Sequence, residues 1–256
     1  MTSPGFEEAR QRVGTLAISA LLASAGGFLD GFMYVGHGRV FANSMTGNVV
    51  LLGINFLSGS WQTALPRLPA ILAFLVGVCV SQAWQLRAKR RDVSAPYFSV
   101  LVLEIGVLVI LSLLPATTAD ILFTASIAFA ASVQVQTFRE VNGHSYSSTF
   151  TTGNLRTLAE AAVDWLHEGR RQADAQLVRD FSVICAAFLA GATAGASTVQ
   201  TFRNRALWCD VIVLVLVAMR VRSRMGSPAI VPDIAAGMED RVEESPSLKK
   251  GTAPAS

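Results

Sequence analysis

The stretch FANSMTGN, residues 41–48, follows a long apolar run, and a related stretch, STFTTGNL at residues 148–155, follows another. Thr152 of the second stretch lies 106 positions after Thr46 of the first, and the same offset places Gln136 at the position of Asp30. A polar motif repeated between apolar segments indicates a duplicated membrane unit, and transporters are commonly built from such repeats. The repeat therefore predicts a class of function without naming a substrate.

Six apolar segments determine the predicted fold class. The 256 residues are 52% hydrophobic and only 15% charged, and about 20 apolar residues cross a hydrocarbon core of ~30 Å. The six segments are Thr15–Val35, Pro66–Leu86, Tyr97–Leu114, Ala119–Phe138, Leu177–Val199 and Ala206–Val221. We therefore expect an all-α, polytopic membrane bundle of about six transmembrane helices. An alternative for the first segment is a signal peptide cleaved near Ala25, but the apolar run continues to Val35, which favours an uncleaved span.

The distribution of Lys and Arg predicts the topology. These residues concentrate around positions 10–12, 87–91, 139–171 and 220–224, whereas the other connections hold few. Positive charge accumulates on the cytoplasmic side, so both termini are expected in the cytoplasm of a bacterial inner membrane. The predicted parts are a cytoplasmic N-terminus (1–14), a membrane domain (15–225) and a disordered cytoplasmic tail (226–256) rich in Pro, Ser, Glu and Lys.

Each half of the membrane domain is predicted to hold three spans and one shorter helix. Repeat one covers residues 15–114 and repeat two covers 119–221, and an odd number of crossings inverts the second relative to the first. The short helices are Val49–Leu57, which is too short to cross a bilayer, and Leu155–His167, which is amphipathic and carries four charged or titratable residues. In both motifs Thr or Asn is suited to cap the helix start, and Gly to permit close approach.

The candidate substrate-binding residues come from the motifs and from polar side chains inside the spans. A helix that begins in or near the membrane presents free N–H groups to a polar or anionic substrate, and buried acids commonly mark transport pathways. The candidates are Asp30, Thr46, Gly47, Asn48, Glu104, Gln136, Thr152, Gly153 and Asn154. Burial would let Asp30 or Glu104 exchange a proton during transport. The alternatives are that the motifs are only tight turns and that the acids only hold the bundle together.

Several other features receive structural interpretations. Two GxxxG pairs, Gly27 with Gly31 and Gly191 with Gly195, are expected to pack helices closely. The three cysteines are expected to be buried, and the histidines at 37 and 144 to lie in interfacial loops. Neither a metal-ligand pattern nor a common enzyme motif occurs, so the sequence predicts no metal, no cofactor, no enzymatic activity and no nucleic-acid partner.

The chain resembles the YoaK-like family of bacterial membrane proteins, for which no function is established. The resemblance rests on Asp30 late in the first span, on Phe-x-x-x-Met-Thr-Gly-Asn at 41–48, on Glu104 in the third span and on the second Thr-Gly element. One departure is VQVQ at 133–136, where the family usually has Gly-x-Gln, and it bears on the packing of the fourth span. The resemblance implies a six-span protein of the bacterial inner membrane and supplies no substrate.

Taken together, the sequence predicts a small-solute transporter or exporter with inverted repeats, with proton coupling as a hypothesis. Its partners would be the lipid bilayer and an unknown small solute, and homo-oligomerisation stays open. The alternative is a non-transporting membrane scaffold or sensor whose repeat reflects gene duplication and packing alone. A membrane enzyme ranks third because no nucleophile–base set is visible.

Overall fold

The computed structural model describes residues 4–90, 96–167 and 171–226, which are almost entirely helical. In chain order the helices are α1 (Pro4–Val13), α2 (Leu16–Gly36), α3 (Met45–Leu57), α4 (Trp61–Ala64), α5 (Arg67–Arg90), α6 (Tyr97–Leu113), α7 (Asp120–Thr137), α8 (Thr151–His167), α9 (Gln172–Phe202) and α10 (Leu207–Gly226). A short 3-10 helix, Arg203–Ala206, joins α9 to α10. The expected disordered tail lies outside the described residues, apart from Gly226.

The helix boundaries follow from local backbone chemistry. After α2 ends at Gly36, Gly38 and Arg39 take positive φ values of 71° and 56°, which a right-handed helix cannot accommodate. Pro96 directly precedes α6, and Pro115 prevents its continuation beyond Leu114. Arg203, with φ of 51°, separates α9 from the last helix. The chain therefore changes direction where glycine, proline or a left-handed residue interrupts an apolar run.

Helices occupy all six segments that the sequence predicts as spans, and α3 and α8 occupy the two predicted short segments. Among the described residues, two helical segments are both long and apolar enough to cross a membrane: Leu16–Gly36 and Trp61–Arg90. Met45–Leu57 and Tyr97–Leu113 are shorter apolar helices. The all-α class is thus confirmed, whereas the count of six crossings and the inversion of the halves stay predictions.

Glycines bring α2 and α9 into direct backbone contact. A Cβ at Gly27 would collide with the carbonyl oxygen of Phe188, and Gly31 abuts the next turn of α9 in the same way. Gly191 and Gly195 of α9 face the backbone of α2 reciprocally. The packing role that the sequence predicts for these four glycines is confirmed.

The helix α7 packs on α5 much as α2 packs on α9. Gly77 of α5 leaves room for the backbone at Phe129 and the hydroxyl of Ser132 on α7. Close packing of α7 is therefore possible although VQVQ contains no glycine, because Gly77 lies on the helix that α7 contacts. The first long helix of each half thus packs against the second long helix of the other half.

Contacts between connections place the helix ends in two groups. At one end, His37 Nδ1 lies 2.9 Å from Asp120 Oδ1, and Asn204 Nδ2 donates to the carbonyl oxygen of Leu114 at 3.0 Å. At the other end, Arg12 donates to the carbonyl oxygen of Arg224. The end of α2, the end of α6 and the starts of α7 and α10 therefore lie at the first end of the bundle. At the second end, the segment before α2 meets the end of α10, so α2 and α10 run alongside each other.

The connection from α7 to α8 contains a hairpin that the sequence analysis does not predict. Its strands are β1 (Glu140–Val141) and β2 (His144–Ser145), paired antiparallel. Asn142 and Gly143, both with positive φ, form the two-residue turn. Asn-Gly between β-compatible residues is a strong hairpin signal, so the motif was readable from the sequence. The backbone N–H of Asn142 also donates to the carbonyl oxygen of Gly14 at 2.7 Å, which ties the hairpin to the start of α2.

Large apolar side chains cover much of the outer surface. The exposed ones on α5 include Leu72, Leu75, Val76 and Val80, whereas α2 is mostly buried at the centre. An extensive apolar surface is expected for a bundle surrounded by lipid.

Candidate functional site

The asparagines of the two motifs perform the same structural task. Asn48 Oδ1 accepts from the backbone N–H of Phe41 at 2.9 Å, and its Nδ2 donates to the carbonyl oxygen of Phe41 at 2.8 Å. Asn154 makes the same pair of bonds to Ser147, at 3.3 and 2.7 Å. Each side chain thereby closes a loop to the residue seven positions earlier. In each asparagine, both polar side-chain atoms bond the N–H and carbonyl groups of that loop residue. The predicted role of the two asparagines in binding a substrate stays a prediction.

The expected capping role of the motifs is wrong. Helices α3 and α8 begin at Met45 and Thr151, so the Thr-Gly-Asn residues lie inside the first turn rather than before it. The cap position of α3 belongs to Ser44, which makes no side-chain cap bond. Sequence alone misplaces the helix start because the asparagine side chain bonds backward to the loop instead of forward to the helix.

The Thr and Gly residues of the motifs have more open surroundings. The side chains of Thr46 and Thr152 are exposed. A Cβ at Gly47 would press on the ring of Phe41, whereas one at Gly153 would meet nothing within 4 Å. Close approach therefore requires glycine in the first motif only.

Asp30 connects α2 to the start of α3. Its Oδ1 accepts from the backbone N–H of Asn43 at 2.7 Å, and its Oδ2 accepts from the hydroxyl of Ser44 at 2.5 Å. Only 4% of Asp30 is exposed. Of the two roles considered from the sequence, the structural one, a carboxylate bonded near a helix start, matches these contacts, although Asp30 also lines a cavity.

Two cavities lie beside the motif loops at equivalent positions. The first, of about 460 Å³, is lined by Asp30, Phe41 and Ser44 from one half and by Phe188 and Ala192 from α9. The second has a volume of about 570 Å³ and is lined by the equivalent residues of the other half. Gln136, Ser147 and Phe150 lie 106 positions after Asp30, Phe41 and Ser44. Phe74 and Val78 of α5 lie 114 positions before Phe188 and Ala192. The duplication thus yields two matching cavities, each formed between opposite halves.

Gln136 also borders a third cavity, of about 310 Å³, near the ends of α5 and α7. Its Nε2 donates to Gln82 Oε1 at 2.7 Å, and its carbonyl oxygen accepts from Gln85 at 3.0 Å. In the second motif cavity, the uncharged amide of Gln136 stands where the first has the carboxyl group of Asp30, so the two cavities differ in charge. Arg139, Arg156 and Glu160 line the second motif cavity, and Arg156 Nε donates to Glu160 Oε1 at 2.8 Å.

Glu104 lies in a separate polar cluster inside the bundle. Gln134 Nε2 donates to Glu104 Oε2 at 2.8 Å, and Asp210 is a further buried acid of the bundle. All three residues are 1% exposed. Within the described part of the chain, Glu104 Oε1 and both carboxyl oxygens of Asp210 have no hydrogen-bond partner. Glu104 and Asp210 are themselves 106 positions apart, as the motifs are.

The histidines and cysteines depart from part of their sequence interpretation. His144 is exposed in the hairpin as expected, but His37 is buried, and its ring stacks on Phe123 with centroids 4.2 Å apart. Burial lowers the pKa of His37, and the hydrogen bond with Asp120 opposes that shift only partly.

Cys79 and Cys209 are exposed rather than buried, because they lie on the outer apolar surface. Among the described residues, no group of three or more His, Cys, Asp or Glu side chains could hold a metal ion.

Two buried polar residues deserved more weight than the sequence analysis assigned. Asp210 is not among the sequence-predicted candidates, and its spacing of 106 positions from Glu104 is the signal that indicates it. Asp180 was not singled out; it is 2% exposed and accepts from Asn142 and Arg179. No sequence feature indicates the Asp180 contacts, since the hairpin brings distant residues together.

Comparison with known proteins places the chain among membrane proteins. It is 26% identical over 144 residues to the UPF0700 transmembrane protein YoaK of Bacillus subtilis (strain 168). That alignment covers 55% of this chain and 64% of the relative, so the chain spans slightly less than two thirds of the curated relative it matches. No solved structure gives a significant match.

A family model matches residues 18–220, which include α2 through most of α10 and both motifs. That range covers well over half of the chain and agrees with the resemblance noted from the motif residues. The chain is therefore a membrane protein, and it belongs to the family described as "Protein of unknown function (DUF1275)".

Proposed function

We propose that the protein is a carrier that moves a small solute across the bacterial inner membrane, with both termini in the cytoplasm and two inverted halves. The observation that carries this proposal is the pair of matching cavities, at Asp30 and at Gln136, each formed between opposite halves. Carriers with inverted repeats hold their substrate at the repeat interface and open it alternately to either side.

The contacts between the halves fit such a mechanism. Each cavity lies where the first long helix and motif loop of one half meet the second long helix of the other, so rocking of the halves would open one cavity and close its counterpart. Asp30, which lines the first cavity, and Gln136 and Gly153, which line the second, remain the candidate substrate contacts, whereas Asn48 and Asn154 support the loops.

A second candidate function is a non-transporting scaffold or sensor. The bonds of Asp30, Asn48 and Asn154 to their own loops favour it, because they explain the motifs without a solute. The two functions differ in whether the cavities bind a ligand.

A thermal-shift screen of the purified protein against a metabolite panel distinguishes them. A solute that binds the folded protein raises the unfolding temperature by mass action, so a carrier should give a specific class of hits. Val78→Trp should abolish the response, because Val78 lines the second motif cavity. Val80→Trp is the matched control, since Val80 lies on the outer surface of the same helix.

Uptake of the hit into proteoliposomes then tests transport itself. The carrier proposal expects uptake with wild type and Val80→Trp and none with Val78→Trp. A folded protein that binds no member of a broad panel, or a Val80→Trp variant as impaired as Val78→Trp, would contradict the proposal and favour the scaffold.

A further inference from the structure

The third cavity, of about 310 Å³, is lined by cations that lie far apart in the sequence. They are Arg10 on α1, Lys89 near the end of α5 and Arg139 after α7. No local run of sequence holds all three, so the tertiary fold brings them to one cavity. Because positive charges that converge on a cleft raise the local concentration of anions, the arrangement is suited to an anionic ligand.

The charge balance distinguishes this cavity from the two motif cavities. Each motif cavity is lined by a carboxyl group, Asp30 in the first and Glu160 in the second, whereas the described residues that line the third cavity include no Asp or Glu. Glu140 lies outside that lining and pairs with Arg10. Three cations against one neighbouring acid leave a surplus of positive charge, and Arg and Lys are the usual phosphate-binding side chains.

Glutamine side chains add neutral donors to the wall of the third cavity. Gln136 Nε2 donates to Gln82 Oε1 at 2.7 Å, and Gln85 Nε2 donates to the carbonyl oxygen of Gln136 at 3.0 Å, so these bonds hold the three lining glutamines in place. Because Gln82 Oε1 serves as an acceptor, the other polar group of that side chain is an NH₂, which can only donate. The wall therefore combines positive charge with donors, as recognition of an oxyanion requires.

We propose that the third cavity binds a phosphate group. Small-molecule sites occupy about 300–1,000 Å³, so this cavity has room for a phosphate group with a small organic part attached. Such a group has two sources: a free phosphate or phosphorylated solute, and the headgroup of an anionic phospholipid, which basic pockets between membrane helices bind. Arg10, Lys89 and Arg139 would contact the phosphate oxygens of either.

The third cavity adjoins the second motif cavity, because Gln136, Arg139 and Ser145 line both. Binding of a phosphate group requires no transport, and it stands by itself. Passage of a phosphorylated solute from the third cavity into the motif cavity rests on the carrier function proposed above.

Thermal unfolding of the full chain in nanodiscs of phosphatidylcholine tests for a free anion. Inorganic phosphate, titrated at constant ionic strength against potassium chloride, should raise the unfolding temperature by mass action, whereas chloride should not. Lys89→Gln and Arg139→Gln should each weaken the apparent affinity about tenfold, the loss expected for one charge-assisted hydrogen bond. Arg139→Lys keeps the charge and should lose less affinity than Arg139→Gln.

A second set of nanodiscs, made of phosphatidylcholine and phosphatidylglycerol, tests for the lipid headgroup. If the lipid is the source, these nanodiscs raise the unfolding temperature of wild type and free phosphate adds nothing. Lys89→Gln and Arg139→Gln should then reduce that increase. A response in either set of nanodiscs supports the site, and the set that responds identifies the source.

Arg87→Gln is the matched control for both sets. Arg87 is exposed on α5, two residues and about 200° around the helix from Lys89, and is not among the described residues that line the cavity. It should behave as wild type. Equal losses in Arg87→Gln and Lys89→Gln would indicate diffuse surface charge and overturn the proposal, as would the absence of any response to phosphate and to anionic lipid. The measurements need no transported solute, so failure of the carrier proposal would leave them unchanged.

Discussion

Asn48 and Asn154 show how one residue type supports a turn that its neighbours cannot. Each amide binds both the N–H and the carbonyl group of one loop residue, Phe41 or Ser147. Only a primary amide presents a donor and an acceptor side by side at this distance from the backbone. The duplicated asparagine is thus explained by loop closure in each half.

Asn48→Ala and Asn154→Ala are expected to destabilise the protein. Each change leaves loop backbone groups without partners, and a buried unsatisfied group costs about 1–3 kcal/mol, so the free energy of unfolding should fall by about that amount. Asn48→Ala should have the larger effect, because Asn48 is fully buried and both of its bonds are short. Tryptophan fluorescence during unfolding in mixed micelles measures the change.

Asn55→Ala is the matched control for these variants. The side chain of Asn55 donates a long bond, 3.5 Å, to the carbonyl oxygen of Thr63 on the surface of α3, and its backbone bonds do not depend on the amide. The variant should behave as wild type. Wild-type stability of Asn48→Ala and Asn154→Ala would show that the loops close without these amides, and a binding role would then regain weight.

At the scale of elements, the bundle depends on helices whose backbones touch. Gly27, Gly31, Gly191 and Gly195 form a reciprocal set, in which each glycine of one helix faces a carbonyl group of the other. Lipid is as apolar as a leucine side chain, so helices in a membrane associate through close packing rather than through apolar burial. The α2–α9 contact is accordingly the main contact between the halves.

Gly27→Ala and Gly191→Ala are expected to destabilise this contact. The added Cβ collides with a carbonyl oxygen of the facing helix, which cannot move as a side chain could, and overpacking of this kind costs about 1–3 kcal/mol. Unfolding in detergent measures the loss. Gly106→Ala is the control, because nothing lies within 4 Å of the added atom and alanine favours a helix. Equal stability of all three variants would refute direct backbone packing.

At the scale of the whole molecule, the helix ends and the charge distribution agree. The connections that hold few cations meet at His37, Asp120 and Asn204, and the basic N-terminal segment meets the end of α10 at Arg224. Each group of connections lies at one end of the bundle. Charge asymmetry of this type orients a membrane protein during insertion, with the basic end in the cytoplasm.

Cysteine labelling tests the six-crossing topology. In a variant with Cys79, Cys185 and Cys209 replaced by serine, a membrane-impermeant maleimide should label Ser60→Cys and Thr117→Cys on intact spheroplasts. His144→Cys should be labelled only after lysis, because the hairpin is expected in the cytoplasm. All three positions are exposed in the structure, so accessibility to the reagent depends on the side of the membrane. Labelling of Ser60→Cys and His144→Cys from the same side would contradict the topology.

Much of the fold was readable from the chain alone, because the bilayer restricts what a helix can contain. The lengths and positions of six apolar segments predict helices that the structure contains, and GxxxG spacing predicts the close contact of α2 with α9. The Asn-Gly pair at residues 142–143 is an equally local signal, and it indicates the hairpin turn that the structure contains. These features depend on local backbone preference and on hydrophobicity, both of which belong to short stretches of sequence.

The tertiary structure alone decided which polar groups meet and which remain without partners. Asp30 and Glu104 are similar candidates in the sequence, yet loop groups satisfy the first, whereas the second accepts one bond from Gln134 and keeps one oxygen without a partner among the described residues. Contacts between residues far apart in the chain depend on how helices are oriented about their axes, and apolar periodicity does not encode that for every polar side chain. The sequence by itself determined the helices and their repeat, and packing determined where a buried acid is left without a partner.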